Sequence, residues 1–378
     1  MDFTYTEEQE MVRELAATFA KNYVAPLSEQ MDIDNTMPHH IAEKMAELGF
    51  MGINVPEEYG GAGMDEVSKA LVIMEIAKVD ASVAELLAVH TLTNDIFLKR
   101  GTEEQKKKYL PMLTQGGVVG GMGITEPNAG SDASKSQTEA RLEGDHYVIN
   151  GSKIFITNGP EAGVFVIFAM TDKTKGNKGL SAFIIESSFP GFSIGKVEDK
   201  MGLHGVHTSE IVFTDMIVPK ENLLGKEGQG FKICMQTLDV GRIGIAAQAL
   251  GIAEGAMEQA VEYTKGRVQF GKPISKFQNT QFTFADMAMR CESARLLTYQ
   301  AAAMKQSGVR CSKQAAMAKL SASETAMWVT TKALQMFGGY GYTNDYPMER
   351  MMRDAKITEI YEGTSEVQRI VISGNMGL

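Results

Sequence analysis

One carboxylate near the C-terminal end stands among residues that suit proton-transfer chemistry. Glu362 follows Tyr361 and directly precedes Gly363. A glycine lets a ligand approach the backbone closely, and apolar neighbours could raise the pKa of the carboxylate toward neutrality. A carboxylate with such a pKa is suited to act as a general base. Taken alone, the segment also fits a surface glutamate beside a turn, so both interpretations stay open here.

Two other segments have compositions that could bind a planar cofactor. Residues 123–132 combine hydroxyl groups, carboxylates and free backbone N–H groups around a bend fixed by Pro127. Such groups can hydrogen-bond a heteroaromatic ring and an acyl carrier. Residues 153–158 have a similar mixture of polar and β-branched side chains. A purely structural loop is the alternative for both segments.

Several other kinds of site are disfavoured by spacing. The glycine clusters at 60–63, 120–123 and 338–341 do not complete GxGxxG between a strand and a helix, which disfavours a Rossmann site. His204 and His207 have no Glu or Cys cluster nearby, and Cys234, Cys291 and Cys311 show no CxxC spacing. There is also no GxSxG motif for a serine hydrolase. We therefore predict no metal site and three buried thiols.

Composition bounds the partners and the location. The chain has 378 residues, 44% of them hydrophobic, and a formal net charge of -10. No run of Lys and Arg could follow a nucleic-acid backbone or an anionic membrane. No apolar stretch approaches the roughly 18 residues of a membrane span, and Asp2, Glu7, Glu8 and Glu10 argue against a signal peptide. We expect a cytoplasmic protein without nucleic-acid or membrane partners.

The order of sequence patterns predicts an α+β fold in three regions. Thr6 with Gln9 and Thr102 with Gln105 match capping boxes at helix starts. From about residue 116 short β-branched and aromatic runs predict strands, with a hairpin at Gly144, and helical periodicity returns after residue 230. We predict an N-terminal helical domain (1–118), a central antiparallel β domain (119–228) and a C-terminal helical bundle (229–378).

Taken together, the motifs and their order resemble those of the acyl-CoA dehydrogenase family over essentially the whole chain. The fold implied by this resemblance has a helical domain, a β domain and a C-terminal four-helix bundle. The motifs that carry the resemblance lie at residues 55–61, 125–132, 156–159, 222–225, 270–272, 353–355 and 361–365.

The resemblance implies a binding site for FAD. Ile124 and Thr125 would hold the pyrimidine end of the flavin, while Phe155 and Thr157 would lie against the ring, with Thr157 donating toward N5. Thr364, Ser365 and Glu366 resemble the residues beside the ADP part. Contacts to the FAD of a neighbouring subunit, which imply a homo-oligomer and usually a tetramer, are assigned to Arg267, Phe270, Gln278, Gln335, Gly338 and Gly339.

The same resemblance implies an acyl-CoA site. Ser131, in the cofactor-binding loop, matches a position near the pantetheine, and Asp239 and Arg242 match substrate contacts. Asp239 could instead cap a helix. Tyr361 and Gly363 flank the base and would also border the substrate.

Two positions depart from the common pattern of the family. Phe155 replaces a frequent Trp, which makes that flank of the flavin smaller, and Asn128 replaces a commoner Gly. Asn tolerates left-handed backbone conformations, so the second change is compatible with the same loop.

The resemblance also selects the catalytic base and the reaction. Some branched-chain members carry their base at the position of Gly241, so here the base is Glu362. The implied reaction is the α,β-dehydrogenation of a short-chain acyl-CoA, butyryl-CoA to crotonyl-CoA or the reverse, as in fatty acid metabolism. Glu362 would remove the α proton, flavin N5 would accept the β hydride, and electron-transferring flavoprotein would receive the electrons. An oxygen-using acyl-CoA oxidase and a non-catalytic helical scaffold are the alternatives.

Overall fold

The computed structural model describes residues 4–378, so Asp2 of the acidic N-terminal segment lies outside the described residues. Both predicted capping boxes are present. The Gln9 backbone N–H donates to the Thr6 hydroxyl at 3.2 Å, and the Gln105 backbone N–H donates to the Thr102 hydroxyl at 3.2 Å. Among residues 4–378, no helix is both long and apolar enough to cross a membrane. The N-terminal helices are α1 (Glu7–Phe19), α2 (Ser28–Asp34), α3 (His40–Glu47), α4 (Glu66–Ala77), α5 (Ala81–Arg100) and α6 (Glu103–Thr114).

A single large sheet follows, in the order β6-β7-β3-β2-β4-β5-β8, with β1 beside β4. The predicted hairpin is present, since Glu143 pairs with His146 across Gly144, whose φ is +65°. Most pairs are antiparallel as predicted, but β1 and β2 each pair in parallel with β4. The strands are β1 (Val119–Gly123), β2 (Glu139–Glu143), β3 (His146–Thr157), β4 (Ala162–Met170), β5 (Leu180–Glu186), β6 (Phe192–Val197), β7 (Thr208–Pro219) and β8 (Leu223–Leu224).

The C-terminal region is a bundle of three long helices, with the shorter α10 packed on α7 and α9 and the shorter α11 packed on α9. Alanines line the buried faces, which lets the helices approach closely, and Cys234, Cys291 and Cys311 are buried free thiols as predicted. The elements are α7 (Gly230–Gly266), β9 (Val268–Gln269), β10 (Lys272–Pro273), α8 (Gln278–Gln306), α9 (Ser312–Phe337), α10 (Met348–Ile357) and α11 (Ser365–Gly374).

A buried charge cluster joins the N-terminal helices to the bundle. Lys69 Nζ lies 2.8 Å from Asp95 Oδ2, and Lys305 Nζ lies 2.9 Å from the same oxygen and 2.6 Å from Glu66 Oε1. Each of these side chains is less than 10% exposed. Because α4, α5 and α8 all contribute, the cluster fixes how the two helical regions meet.

Candidate active site

Glu362 lies in the short turn between α10 and α11, in an unusual backbone conformation. Its φ is +51°, and the φ of Gly363 is +92°. A positive φ costs a non-glycine residue free energy, and it persists only where the surroundings hold it. Three side-chain hydrogen bonds hold the carbonyls of this turn: Gln368 Nε2 donates to those of Glu362 at 3.2 Å and Gly363 at 2.7 Å, and Lys319 Nζ donates to that of Gly363 at 2.9 Å.

The Glu362 carboxylate has an oxygen that is free to receive a proton. Oε2 is buried and has no hydrogen-bond partner. Burial raises the pKa of Glu362 above its usual value, while the nearby cations Arg242 and Lys319 oppose that rise. A carboxylate that is desolvated but still faced by two cations combines basicity with ionisation, as a general base requires.

Tyr361 turns its hydroxyl away from that oxygen, toward a second buried carboxyl group. The hydroxyl lies 2.9 Å from Glu85 Oε2 and also contacts Gln248 Oε1, while Gln248 Nε2 donates to the Ala81 carbonyl at 2.9 Å. A phenol has one proton, so both contacts are hydrogen bonds only when Glu85 is protonated and donates one of them. In agreement, burial raises the pKa of Glu85 to about 8, and the charge of Glu362 adds to the rise.

Asp239 and Arg242 lie together on α7, on the side of Glu362. Arg242 Nη1 donates to Asp239 Oδ1 at 2.6 Å, and the Ser312 hydroxyl donates to Asp239 Oδ2 at 2.5 Å. Asp239 lies well inside α7, so the helix-cap interpretation is wrong. Arg242 is 4% exposed, and its Nε has no partner.

The turn and its surroundings contain several buried polar atoms without partners. They are Glu362 Oε2, Arg242 Nε, Ser365 Oγ and Gln368 Oε1. Folded proteins rarely bury such atoms unsatisfied, so a cluster of them indicates where a ligand supplies the missing hydrogen bonds. These atoms include both hydrogen-bond donors and acceptors. A flavin offers groups of both kinds and a thioester offers an acceptor, so both ligands fit the site.

The predicted flavin-facing residues of the β region lie on two connected segments. Ile154 N donates to the Thr125 carbonyl at 2.9 Å, and the fully buried Lys153 donates to the Ile124 carbonyl at 3.3 Å and to Glu126 Oε1 at 2.6 Å. These bonds tie the segment after β1 to the end of β3. Ser131 lies on the exposed part of that loop.

Phe155 and Thr157 occupy the end of β3 in different ways. Phe155 is 59% exposed and has a φ of +58°, at a point where the register of β3 and β7 shifts. A large aromatic ring in a strained and exposed position is typical of a ring that packs against a ligand. Thr157 is half-buried, and its side chain is near enough to Glu85 to lower the pKa of that carboxyl group.

A second group of predicted residues gathers elsewhere, at the far end of the bundle. Arg267, Gln335, Gly338 and Gly339 line a groove of about 530 Å³, where the Arg267 guanidinium lies 6.0 Å from the ring centre of Tyr340. Arg267 follows α7 and lies about 37 Å along its axis from Arg242, at about 1.5 Å per residue. One chain therefore does not bring this groove to Glu362.

The remaining predicted residues lie near the groove beside Arg267 or near the turn that carries Glu362. Phe270 is 94% exposed, at the turn between β9 and β10, and Gln278 is exposed at the first position of α8. Thr364 caps α11 by accepting a hydrogen bond from the Val367 N–H at 3.3 Å. Beside it, Ser365 is buried and Glu366 is exposed.

Sequence reasoning missed four polar residues of the site: Glu85, Gln248, Lys319 and Gln368. All four are at most 2% exposed. Lys319 and Glu85 stand within apolar helix faces, Lys319 among alanines and Glu85 between Ala84 and Leu86. A charged residue at a core position of a helix was the signal that could have identified both, because such residues are seldom buried without a partner.

Comparison with protein-family models covers nearly the whole chain. Residues 6–117 match the N-terminal domain of acyl-CoA dehydrogenase, residues 121–216 its middle domain and residues 228–377 its C-terminal domain. The three matches occur in the same order as the helical, β and helical regions described above.

Individual relatives match over their full length. The chain is 58% identical to the short-chain specific acyl-CoA dehydrogenase of Clostridium acetobutylicum, covering 100% of both chains. The fold of this chain superimposes on that of butyryl-CoA dehydrogenase from Megasphaera elsdenii with a TM-score of 0.98 and 51% identity, again covering 100% of both chains. A chain from a structure of the electron transferring flavoprotein of Acidaminococcus fermentans matches with a TM-score of 0.98 and 56% identity, covering 100% of this chain and 99% of that one.

These matches confirm the resemblance that the ordered motifs indicated, together with the three-region fold that it implied. The chain therefore belongs to the acyl-CoA dehydrogenase family, a family of FAD-dependent enzymes.

Proposed function

We propose that this enzyme catalyses the FAD-dependent α,β-dehydrogenation of a short-chain acyl-CoA, with butyryl-CoA and crotonyl-CoA as the pair, and that Glu362 is its base. The observation that carries the assignment of the base is the unpaired Oε2 of Glu362, buried in a site that also contains Arg242 and Lys319. No other position in the Tyr361 to Ser365 motif has a carboxylate.

The chain's own residues account for the proton-transfer half of the reaction. Glu362 removes the proton from the α carbon, and its backbone N–H donates to the thioester oxygen as negative charge develops there. A positioned donor of this kind contributes roughly 3 to 4 kcal/mol when water is excluded. FAD, when bound, supplies the acceptor for the hydride that leaves the β carbon. Burial raises the pKa of Glu85 and so favours its protonated form, whereas Glu362 is the carboxylate that faces the two cations Arg242 and Lys319.

Cofactor binding is assigned to the segments that border this base. Ile124 and Thr125 would contact the pyrimidine end of the flavin, and Phe155 and Thr157 the ring. Thr157 acts on the pKa of Glu85, and Glu85 lies 2.9 Å from the Tyr361 hydroxyl, so the end of β3 is close to the turn that carries Glu362. Ser131, Thr364, Ser365 and Glu366 would contact the more polar parts of FAD or of acyl-CoA. Asp239, Arg242, Tyr361 and Gly363 would border the substrate.

A homo-oligomer is part of the proposal, because the distant groove needs a second subunit, and a tetramer is the form that the family resemblance implies. The groove beside Arg267 lies about 37 Å along α7 from Arg242, at about 1.5 Å per residue. It would therefore bind the FAD of a neighbouring chain. Large apolar side chains are exposed near it, including Phe270 at 94% and Tyr342 at 87%. Exposed apolar surface of this kind is typical of protein interfaces.

We further take the domain boundaries to be 118/119 and 228/229, next to the starts of β1 and α7.

Electron-transferring flavoprotein is the proposed electron acceptor. Support comes from the close match to a chain in a structure of the Acidaminococcus fermentans flavoprotein, whose description refers to flavin-based electron bifurcation. Short-chain specificity is supported by the names of the Clostridium and Megasphaera relatives. A cytoplasmic location and a role in fatty acid metabolism complete the proposal.

Anaerobic reduction of the purified holoenzyme tests this function. We expect butyryl-CoA to bleach the flavin band faster than hexanoyl-CoA or octanoyl-CoA, and electron-transferring flavoprotein to restore the band. Rapid reoxidation by air with stoichiometric peroxide would instead support the oxidase. Protein purified without any flavin band, and unable to bind added FAD, would support the non-catalytic scaffold.

A further inference from the structure

Lys319 is a buried lysine that lies outside the sequence motifs and takes no part in the bond making and breaking of the proposed reaction. It lies about two turns into α9, and its exposed fraction is 0%. Burying an ammonium group costs several kcal/mol unless partners compensate. Burial lowers the pKa of Lys319 to about 8, and the carboxylate of Glu362 opposes that lowering. A simple packing position would be filled at less cost by an apolar side chain.

The amine is directed at the turn that carries the base. Lys319 Nζ donates to the Gly363 carbonyl at 2.9 Å, and Gln368 Nε2 donates to the same oxygen at 2.7 Å. One turn farther along α9, the Ser323 hydroxyl lies 2.7 Å from the Thr358 carbonyl and 2.7 Å from the Lys319 carbonyl, which share its proton. One face of α9 therefore holds both ends of the segment that contains Glu362.

The charges that act on Lys319 come from three neighbouring segments. Arg242 faces it from α7, Glu359 and Glu362 from the segment between α10 and α11, and Glu366 from α11. Of these, Glu362 has the largest effect on Lys319 after burial itself. Conversely, Arg242 and Lys319 are the two cations that act on Glu362. Arg242 is already paired with Asp239, whereas Lys319 has a neutral carbonyl as its hydrogen-bond partner. Its charge is therefore less compensated locally than that of Arg242.

We propose that Lys319 is a positioning residue for Glu362, which fixes the strained turn through the Gly363 carbonyl and whose positive charge keeps the base ionised before substrate binds. The inference rests on the proposed role of Glu362. The two effects are separable, because one needs a hydrogen-bond donor and the other a charge.

Three substitutions at this position separate the two effects. Lys319→Gln keeps a donor without the charge, Lys319→Met removes both, and Lys319→Arg keeps both. We expect the acid limb of the single-turnover rate of flavin reduction by butyryl-CoA to move to higher pH in the Gln variant. At any pH on the acid limb its rate should fall about tenfold, which corresponds to a shift of about one pH unit. Above pH 8, where Lys319 itself loses its proton, the Gln variant and the wild-type enzyme should converge.

The Met variant should show the same shift of the acid limb and also a lower limiting rate at high pH, because the turn loses a hydrogen bond. The Arg variant should keep the wild-type limb. Lys332 lies on the same helix but is exposed, so Lys332→Gln is the matched control and should leave the whole profile unchanged.

A second readout does not depend on turnover. Infrared difference titration of the substrate-free holoenzyme, with Glu362→Gln used to assign the carboxyl band, should show Glu362 protonating at higher pH in Lys319→Gln than in the wild type. An unchanged titration and an unchanged acid limb in Lys319→Gln would overturn the role of the charge. A Met variant with the limiting rate of the Gln variant would overturn the role of the hydrogen bond.

Failure of this inference is distinguishable from failure of the proposed function. If wild-type holoenzyme is reduced by butyryl-CoA and Glu362→Gln is not, the function stands whatever the Lys319 variants do. If Lys319→Met does not fold, the Gln variant and the infrared titration still decide the role of the charge. Lys319→Leu, which also lacks both the donor and the charge, then replaces the Met variant as the test of the hydrogen bond.

Discussion

The carboxylate of Glu362 fills the space that a side chain at position 241 would need. A β-carbon built on Gly241 would lie 2.7 Å from Glu362 Oε2 and 3.3 Å from its Cδ. The absence of a side chain on α7 therefore determines where the base can stand. It also explains why a base at 241 and a base at 362 are alternatives: each position directs its side chain into the same space.

Gly241→Ala should lower activity without lowering stability. Alanine in a helix interior is favoured over glycine by up to about 1 kcal/mol, but the added methyl group forces the carboxylate to move. A misplacement of about 1 Å can slow a reaction by about a hundredfold. We expect single-turnover flavin reduction to slow by ten- to a hundredfold, with an unchanged or raised melting temperature.

Gly244→Ala is the control for that substitution. Its β-carbon would meet its nearest neighbours at 3.8 Å, an ordinary contact, on the same helix. It should react like the wild type. Equal rates for the two alanine variants would show that the Gly241 space is unimportant for the base.

Glu85→Gln should change how stability depends on pH. The pKa of Glu85 is raised from 4.5 to about 8 in the folded protein, so between these values the folded state holds a proton that the unfolded state lacks. Its contribution to stability is complete below about pH 4.5 and is lost as pH rises toward 8, at up to about 1.4 kcal/mol per pH unit. Glutamine does not titrate, so the variant should lose this slope.

The comparison must be made as a difference between variant and wild type. Asp354, whose pKa is raised to about 7 by burial, contributes a slope of the same sign in both proteins and cancels. Urea unfolding at several pH values between 5 and 8 measures the difference. Parallel stability curves would mean that Glu85 is ionised in the folded protein at neutral pH.

The buried charge cluster between the helical regions should be sensitive to the loss of one partner. Asp95→Asn leaves Lys69 and Lys305 with less compensation in a site where every side chain is less than 10% exposed. Breaking a buried pair in this way typically costs about 3 to 5 kcal/mol. The exposed pair Arg369–Glu324, 53% and 47% exposed, is the control, and Glu324→Gln should cost under about 1 kcal/mol. Denaturant unfolding of the apoproteins measures both, and similar losses would contradict this account.

Phe155→Ala should weaken FAD binding while leaving the apoprotein stable. Its ring is 59% exposed, so truncation removes little from the core. Burying a phenylalanine side chain against a ligand contributes about 1.5 to 3 kcal/mol, which corresponds to roughly 10- to 150-fold in the dissociation constant of FAD. Leu142→Ala, at a similarly exposed position of β2, should bind FAD like the wild type. Fluorescence titration of apoprotein with FAD compares them, and an unaffected Phe155 variant would place the ring away from the flavin.

Local sequence signals were sufficient for much of the fold. Thr6 and Thr102 start helices because their hydroxyls satisfy free backbone N–H groups, and Gly144 turns a hairpin because it adopts a positive φ without strain. The parallel pairing of β1 with β4 could not be read in the same way. It joins Gly120 to Val164 across the chain, and no local turn signals such a contact.

The residues of the candidate site also differ in whether a local sequence signal predicts them. Glu362, Tyr361 and Gly363 share one motif, so their neighbourhood could be predicted. Glu85 and Lys319 enter from α5 and α9, more than 40 residues away from Glu362 in the sequence, and only the packing of those helices brings them to the turn. Their burial in otherwise apolar helix faces was a signal of importance, but it did not identify their partners.

The most direct test of the central claim is single-turnover reduction of the Glu362→Gln holoenzyme by butyryl-CoA under anaerobic conditions. We expect the variant to bind FAD and acyl-CoA with near wild-type affinity and to leave the flavin band unbleached, because no group remains to take the α proton. Bleaching at a rate within about tenfold of the wild type would show that another residue is the base.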